Sequence, residues 1–182
     1  MAPTYRAIPE SRVCWSTVLI VVTLGTHDQP FDRALDVVEP LLRNEQLVVQ
    51  HGATRARPYG NSTRWIRFVP YDEFQKLVDA ASAVISHAGV GTIMTVLRSG
   101  MMPIVIPRLH QHGEHVDDHQ LEITDAFASR GLVVPIRSTD DLLHTLEDRE
   151  GLRSTRAESA TVLRASVGAA TRRIIRDSAD HG

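Results

Sequence analysis

The sequence predicts an α/β fold built on a doubly wound parallel sheet, and three observations lead there. Short, near-continuous apolar runs such as residues 18–22, 83–85 and 103–106 alternate with stretches of helical period, as strands covered on both faces require. Several runs end in glycine or proline, so each stops sharply. Finally, 182 residues with 42% hydrophobic and 23% charged content suit one globular core, and no repeat, low-complexity tract or linker divides them.

The elements follow in order. Residues 18–22 are rich in β-branched side chains and lead to Gly25, the mark of a buried parallel strand. Phe31, Leu35, Val38 and Leu42 recur at helical spacing, with Asp32, Arg33, Asp36 and Arg43 on other faces. Residues 47–50 predict a second strand, 51–62 a loop, and 65–69 a third strand. Pro70 and Asp72 introduce a helix over 71–80. A strand over 83–85 precedes a helix over 91–98 that Gly100 ends. Pro107 stops the strand 103–106, a helix spans 116–129, and a strand 132–136 leads to Ser138, which caps a helix through Leu146. Residues 152–177 predict a long final helix. The organisation is therefore a flexible tail over 1–16, one folded unit over 17–150 and a C-terminal helix over 151–182. That helix carries Leu152, Val162, Leu163, Val167, Ile174 and Ile175 beside Arg156, Arg164, Arg172, Arg173 and Arg176, a candidate partner contact or a face packed on its own domain.

Composition excludes some classes. A formal charge of -2 gives no general reason to expect nucleic acid. Cys14 is the only cysteine, which excludes an internal disulfide and a cysteine metal cluster and is compatible with a reducing compartment. The apolar run 13–24 follows Arg6 and Arg12 and loosely resembles a signal peptide, yet it is shorter than the roughly 20 residues a bilayer needs and reads better as a strand.

The most informative stretch is Ser86-His87-Ala88-Gly89-Val90-Gly91-Thr92, a strand end, a glycine-paired turn and a helix start. Such a turn lets backbone approach a ligand, and the helix end offers unpaired N–H groups with about half a positive charge, which suits phosphate. An ordinary strand-to-helix connection is the alternative. Parallel sheets bind ligands beyond the carboxyl ends of their strands, where loops 25–31, 86–92 and 107–120 gather.

Other residues at that edge carry chemistry. Asp117, Asp118 and Gln120 offer acceptors and a donor of the kind vicinal sugar hydroxyls need, or else cap a helix. His110, His112, His115 and His119 suggest zinc only weakly, because no Cys or HExxH pattern joins them. His27 is a candidate proton acceptor or oxyanion donor. No Asp-x-Asp pair occurs to hold a divalent ion on a diphosphate, so leaving-group charge falls to helix ends and histidines. Met94 stands where a nicotinamide fingerprint needs its third glycine. No nucleophile elbow or glycine-lysine phosphate loop is present.

Four segments, 24–31, 85–92, 103–108 and 113–120, resemble in order the carboxyl-terminal half of two-domain nucleotide-sugar glycosyltransferases of the GT-B, family 28 type. They are most similar to stand-alone subunits of bacterial exopolysaccharide and capsule synthesis, relatives of the catalytic subunit of the dolichol-linked N-acetylglucosaminyltransferase. The resemblance implies a single Rossmann-like GT-B half-domain that binds a UDP-sugar as substrate, without metal or other cofactor, for inverting transfer to a lipid-linked saccharide acceptor. It also implies a membrane-anchored acceptor-binding partner subunit and a cytoplasmic location peripheral to the membrane. Carried onto this sequence, it implies that Gly25, Thr26, Ser86, His87, Gly89, Val90, Gly91 and Thr92 meet the diphosphate, that Asp118 and Gln120 meet the donor sugar, and that Glu114 and His115 also bind substrate. Many relatives hold the ribose with a glutamate where this chain has Thr95, which puts that contact in doubt. A non-catalytic enhancer subunit and a free-standing nucleotide-sugar enzyme are the alternatives.

Overall fold

The computed structural model describes residues 19–57 and 62–154. Six strands and six α-helices alternate: β1 (Leu19–Thr23), α1 (Asp32–Asn44), β2 (Gln46–Gln50), β3 (Thr63–Ile66), α2 (Tyr71–Ala80), β4 (Ala83–Ser86), α3 (Val90–Arg98), β5 (Ile104–Val105), α4 (His119–Ala128), β6 (Val134–Pro135), α5 (Thr139–Glu147) and α6 (Arg149–Ser154), with a 3-10 turn at His110–His112. All pairings are parallel, in the order β3-β2-β1-β4-β5-β6. The chain winds outward from β1 through β2 to β3, then returns to place β4 on the other side of β1. That reversal opens a crevice between the carboxyl ends of β1 and β4.

Alternating side chains of β1 fill two layers. Ile20 and Val22 join Leu35, Val38, Leu42 and Leu142 beneath α1 and α5, while Leu19 and Val21 join Phe74, Val78 and Val96 beneath α2 and α3. Each such fully buried aliphatic side chain contributes roughly 1.5–3 kcal/mol relative to exposure. The sheet is therefore a stiff floor under the crevice.

Element boundaries shift where side chains compete with the ladder. β3 begins at Thr63 and stops at Ile66, two and three residues earlier than the apolar run predicts, and past its end the Ile66 and Arg67 carbonyls accept from the His51 and Gly52 N–H groups. α4 begins at His119 rather than residue 116, since the Asp117 carboxylate takes the His119 N–H and ends the preceding loop there. Ser138 caps α5 as expected, with Asp141 returning the bond to the Ser138 N–H. Of the predicted long final helix only α6 is described, its Leu152 carbonyl accepting from the Met102 N–H at 2.7 Å. The remainder, the 1–16 tail and the partner contact assigned to residues 151–182 lie wholly or largely outside the described residues. Among the described residues no helix is long and apolar enough to cross a membrane.

Candidate functional site

The crevice between β1 and β4 is a cleft of about 370 Å³. Gly25 and Thr26 follow β1, His87 and Gly89 follow β4, and Gly91 and Thr92 open α3; all six line it. The sequence assigned these residues to one site, and the topology brings them together.

Two glycines make the floor possible. Gly25 has φ +83, and a Cβ there would stand 2.7 Å from His87 Nε2. A Cβ on Gly89 would strike the same nitrogen. The imidazole thus fills a slot that only two missing side chains leave open. Gln50 locks the first glycine in place, donating to the Gly25 and Arg67 carbonyls at 2.9 and 3.1 Å while accepting from Thr23 Oγ1 at 2.5 Å.

His87 is half-buried, yet its Nδ1 is sealed from solvent without a hydrogen-bond partner. Burial above all, then the charge of Arg108, with His115 and His27 adding smaller pushes and the Thr23 backbone pulling the other way, brings the imidazole pKa down to about 4. At neutral pH it is an uncharged ring. Gly89 is the N-cap of α3, and Ile93 is the first residue whose N–H closes back onto the Gly89 carbonyl. The N–H groups of Val90, Gly91 and Thr92 therefore open onto the cleft end of the helix, with no acidic residue in the first turn to oppose an anion. Ser86 lies beneath, 2% exposed with an unpartnered Oγ, and the Val90 side chain is turned to solvent at 45%.

The residues expected at the sugar do not line this cleft but form a shelf beside it. Glu114 is 4% exposed and bonds Arg33 at 2.7 and 2.9 Å and the Leu109 N–H at 3.0 Å. Gln120 spends its carbonyl oxygen on the Arg108 N–H, and Asp118 gives one oxygen to the His110 N–H at 2.8 Å. His115 Nδ1 lies 2.9 Å from the Asp117 carboxylate and 3.4 Å from the Asp117 N–H. His27 Nδ1 accepts from the Gln29 N–H at 3.3 Å, and its Nε2 then carries the proton. The two rings lie 4.8 Å apart, so His27 stands with the shelf and, like it, does not line the cleft. Thr95 is buried and donates to the Gly91 carbonyl inside α3, so its hydroxyl is already used.

Sequence reasoning missed the far wall, Val69, Tyr71 and Phe74, and the buried Arg108. The wall could have been found from its place after β3 at the same sheet edge; nothing in the local pattern around Arg108 announces a buried cation. Among the described residues no three His, Cys, Asp or Glu side chains are grouped to hold a metal ion.

This architecture is that of a GT-B glycosyltransferase half-domain. The glycotransferase of kitacinnamycin superposes with a TM-score of 0.63 at 22% identity, covering 91% of this chain and 43% of that one. The glycosyltransferase SnogD from Streptomyces nogalater gives 0.58 at 20% identity, covering 85% and 42%. Residues 19–170 match the glycosyltransferase family 28 C-terminal domain, and the chain belongs to that family. A UDP-N-acetylglucosamine transferase subunit ALG13 from Yarrowia lipolytica is 30% identical over 137 residues, 66% of each chain. A protein of the same name from Cryptococcus neoformans is 41% identical over 73 residues, 39% of this chain and only 34% of its own length. This chain thus spans about a third of that relative and under half of either solved structure.

Proposed function

We propose that this chain is the donor-binding, catalytic subunit of a two-component inverting glycosyltransferase that moves a sugar from a UDP-sugar to a lipid-linked saccharide acceptor held by a membrane-anchored partner. Its relatives among UDP-N-acetylglucosamine transferase subunits favour UDP-N-acetylglucosamine as donor. The likeness to exopolysaccharide and capsule subunits favours a cell-surface polysaccharide as product, made at the cytoplasmic face of the membrane.

One observation carries the reading: a glycine-floored helix N-terminus and a neutral imidazole share a cleft at the sheet's switch point. A diphosphate there accepts the free N–H groups of Val90, Gly91 and Thr92, with Gly25, Thr26 and His87 around it and Ser86 below. The apolar wall of Val69, Tyr71 and Phe74 receives the nucleobase. The donor sugar extends toward His115, Asp118 and Gln120, with Glu114 shaping the shelf that holds them. When the acceptor hydroxyl oxygen bonds the anomeric carbon, its proton passes to a base on the acceptor-holding partner and the electron pair of the breaking glycosidic bond passes to the diphosphate. Fixed dipoles at α3 and the Nε2–H of His27 meet that charge, so the step needs no metal ion. His27 therefore acts as an oxyanion donor rather than a proton acceptor.

Calorimetry with UDP-N-acetylglucosamine tests the placement. The wild-type chain binds, and Gly89→Asp, which puts a side chain and a negative charge where phosphate belongs, does not. Unchanged binding by the variant refutes the site.

A further inference from the structure

Arg108 is the largest fully buried side chain of the described residues, 1% exposed. Its guanidinium reaches three carbonyls in two different loops. Nη1 donates to Gln29 O and Glu114 O at 2.9 and 2.8 Å, and Nη2 to Leu24 O at 2.9 Å. The plane lies 4.7 Å from the Phe31 ring centroid, a cation–π contact that holds the fork from its face. Its own N–H is taken by Gln120, so backbone and side chain of one residue tie β1's exit loop to the shelf.

The charge balance is unusual. Glu114, the only other charged side chain below 9% exposure among the described residues, gives its oxygens to Arg33 and to the Leu109 N–H. Arg108 thus hydrogen-bonds carbonyls and faces a ring rather than pairing directly with a carboxylate, Glu114 acting on it only through its charge, and its Nε has no partner. Burying an arginine is costly unless hydrogen bonds and nearby charge compensate it. The same charge is felt at His87, which otherwise faces His115 and His27 from the two loops and no acidic residue from the first turn of α3.

We propose that Arg108 is a positioning residue for the diphosphate site: a buried cation that clamps loops 24–29 and 107–114 together and supplies positive potential to the cleft. It rests on the diphosphate reading above. Arginine suits the role because its planar fork serves several carbonyls while staying charged, which an ammonium does with less reach.

Arg108→Met and Arg108→Lys test it, read by calorimetry with UDP and by following the His87 imidazole through an NMR pH titration. For Arg108→Met the His87 pKa rises by about half a unit or more and UDP affinity falls about tenfold or more. Arg108→Lys keeps the charge and loses the fork, so the His87 pKa stays near the wild-type value while UDP binds several-fold more weakly. A folded Arg108→Met that binds UDP within about twofold of wild type overturns the proposal, as does a loss of affinity with no His87 response. Should Arg108→Met fail to fold, Arg108→Lys decides alone: wild-type affinity in that variant overturns the clamp. A wild-type chain that does not bind UDP sinks the diphosphate reading itself, and this proposal with it.

Discussion

The imidazole of His87 is wedged against Gly89, so close that a Cβ on the glycine would collide with Nε2. Gly91, two residues on, has no atom within 4 Å of where its Cβ would stand. These glycines share a turn in sequence and differ completely in what holds them.

The contrast gives a paired test. Gly89→Ala must push the His87 ring out of its slot, so UDP affinity drops by about tenfold or more and stability falls by roughly 1–3 kcal/mol, an overpacking cost. Gly91→Ala stabilises or leaves unchanged a helix whose first turn it occupies, by up to about 1 kcal/mol. Denaturant unfolding with calorimetry on both variants checks this. Equal destabilisation by the two would contradict the wedge.

Stability should depend on pH through His87. Its folded pKa of about 4 lies below the ordinary 6.5, so between those values the unfolded chain binds the extra proton and acid favours unfolding. The contribution is complete above about pH 6.5 and is lost as pH falls toward 4, a change on the order of 2–3 kcal/mol. Asp117 and Asp141, whose carboxyls are held below the usual range chiefly by the His119 N–H and by Ser138, lose their contributions only at lower pH. His87→Asn should flatten the slope between pH 4 and 6.5. An unchanged slope would mean that the ring titrates freely.

Glu114 separates architecture from recognition. Glu114→Gln leaves Arg33 without its counter-charge in a half-buried position and weakens the hold on the Leu109 N–H, at a cost of about 2–3 kcal/mol. Because Glu114 faces Arg33 rather than the cleft, UDP affinity should change less than threefold, within about 0.7 kcal/mol. A large loss of UDP binding with little loss of stability would instead place this carboxylate at the ligand.

Much of this was legible in the chain because strand burial and turn chemistry are local. The run Val21-Val22-Thr23-Leu24-Gly25 fixes a strand and its exit, and Ser138 with Asp141 fixes a helix start. The gathering of Gly25, His87 and Gly89 follows from strand order, which alternation and the switch-point rule anticipate. What stayed hidden depends on distances between loops. Nothing near Arg108 signals that its guanidinium turns inward to Leu24, 84 residues away, and a buried arginine defies the ordinary rule that this side chain is exposed. Likewise Glu114 reads as a ligand-facing acid in a polar segment until Arg33, 81 residues earlier, is seen to claim it.

The far wall of the cleft offers the sharpest separation of base from phosphate. Tyr71 stands at the first turn of α2, 59% exposed, and lines the cleft opposite Gly89 and Gly91 together with Val69 and Phe74. Its only side-chain hydrogen bond among the described residues is a long 3.5 Å contact to Gln75, so the fold gains little from it and Tyr71→Ala should unfold within about 0.5 kcal/mol of wild type. A ring that exposed has area to give to a ligand, and stacking or edge contact with a nucleobase is worth about 1–3 kcal/mol. Tyr71→Ala should therefore weaken UDP by about five- to a hundredfold while inorganic pyrophosphate, which lacks a base, binds as before. Equal losses for both ligands would move the base elsewhere, and no loss for either would leave Tyr71 a bystander at the rim. Because Gly89→Ala acts on both ligands alike, the two variants together map the ends of the nucleotide along one cleft.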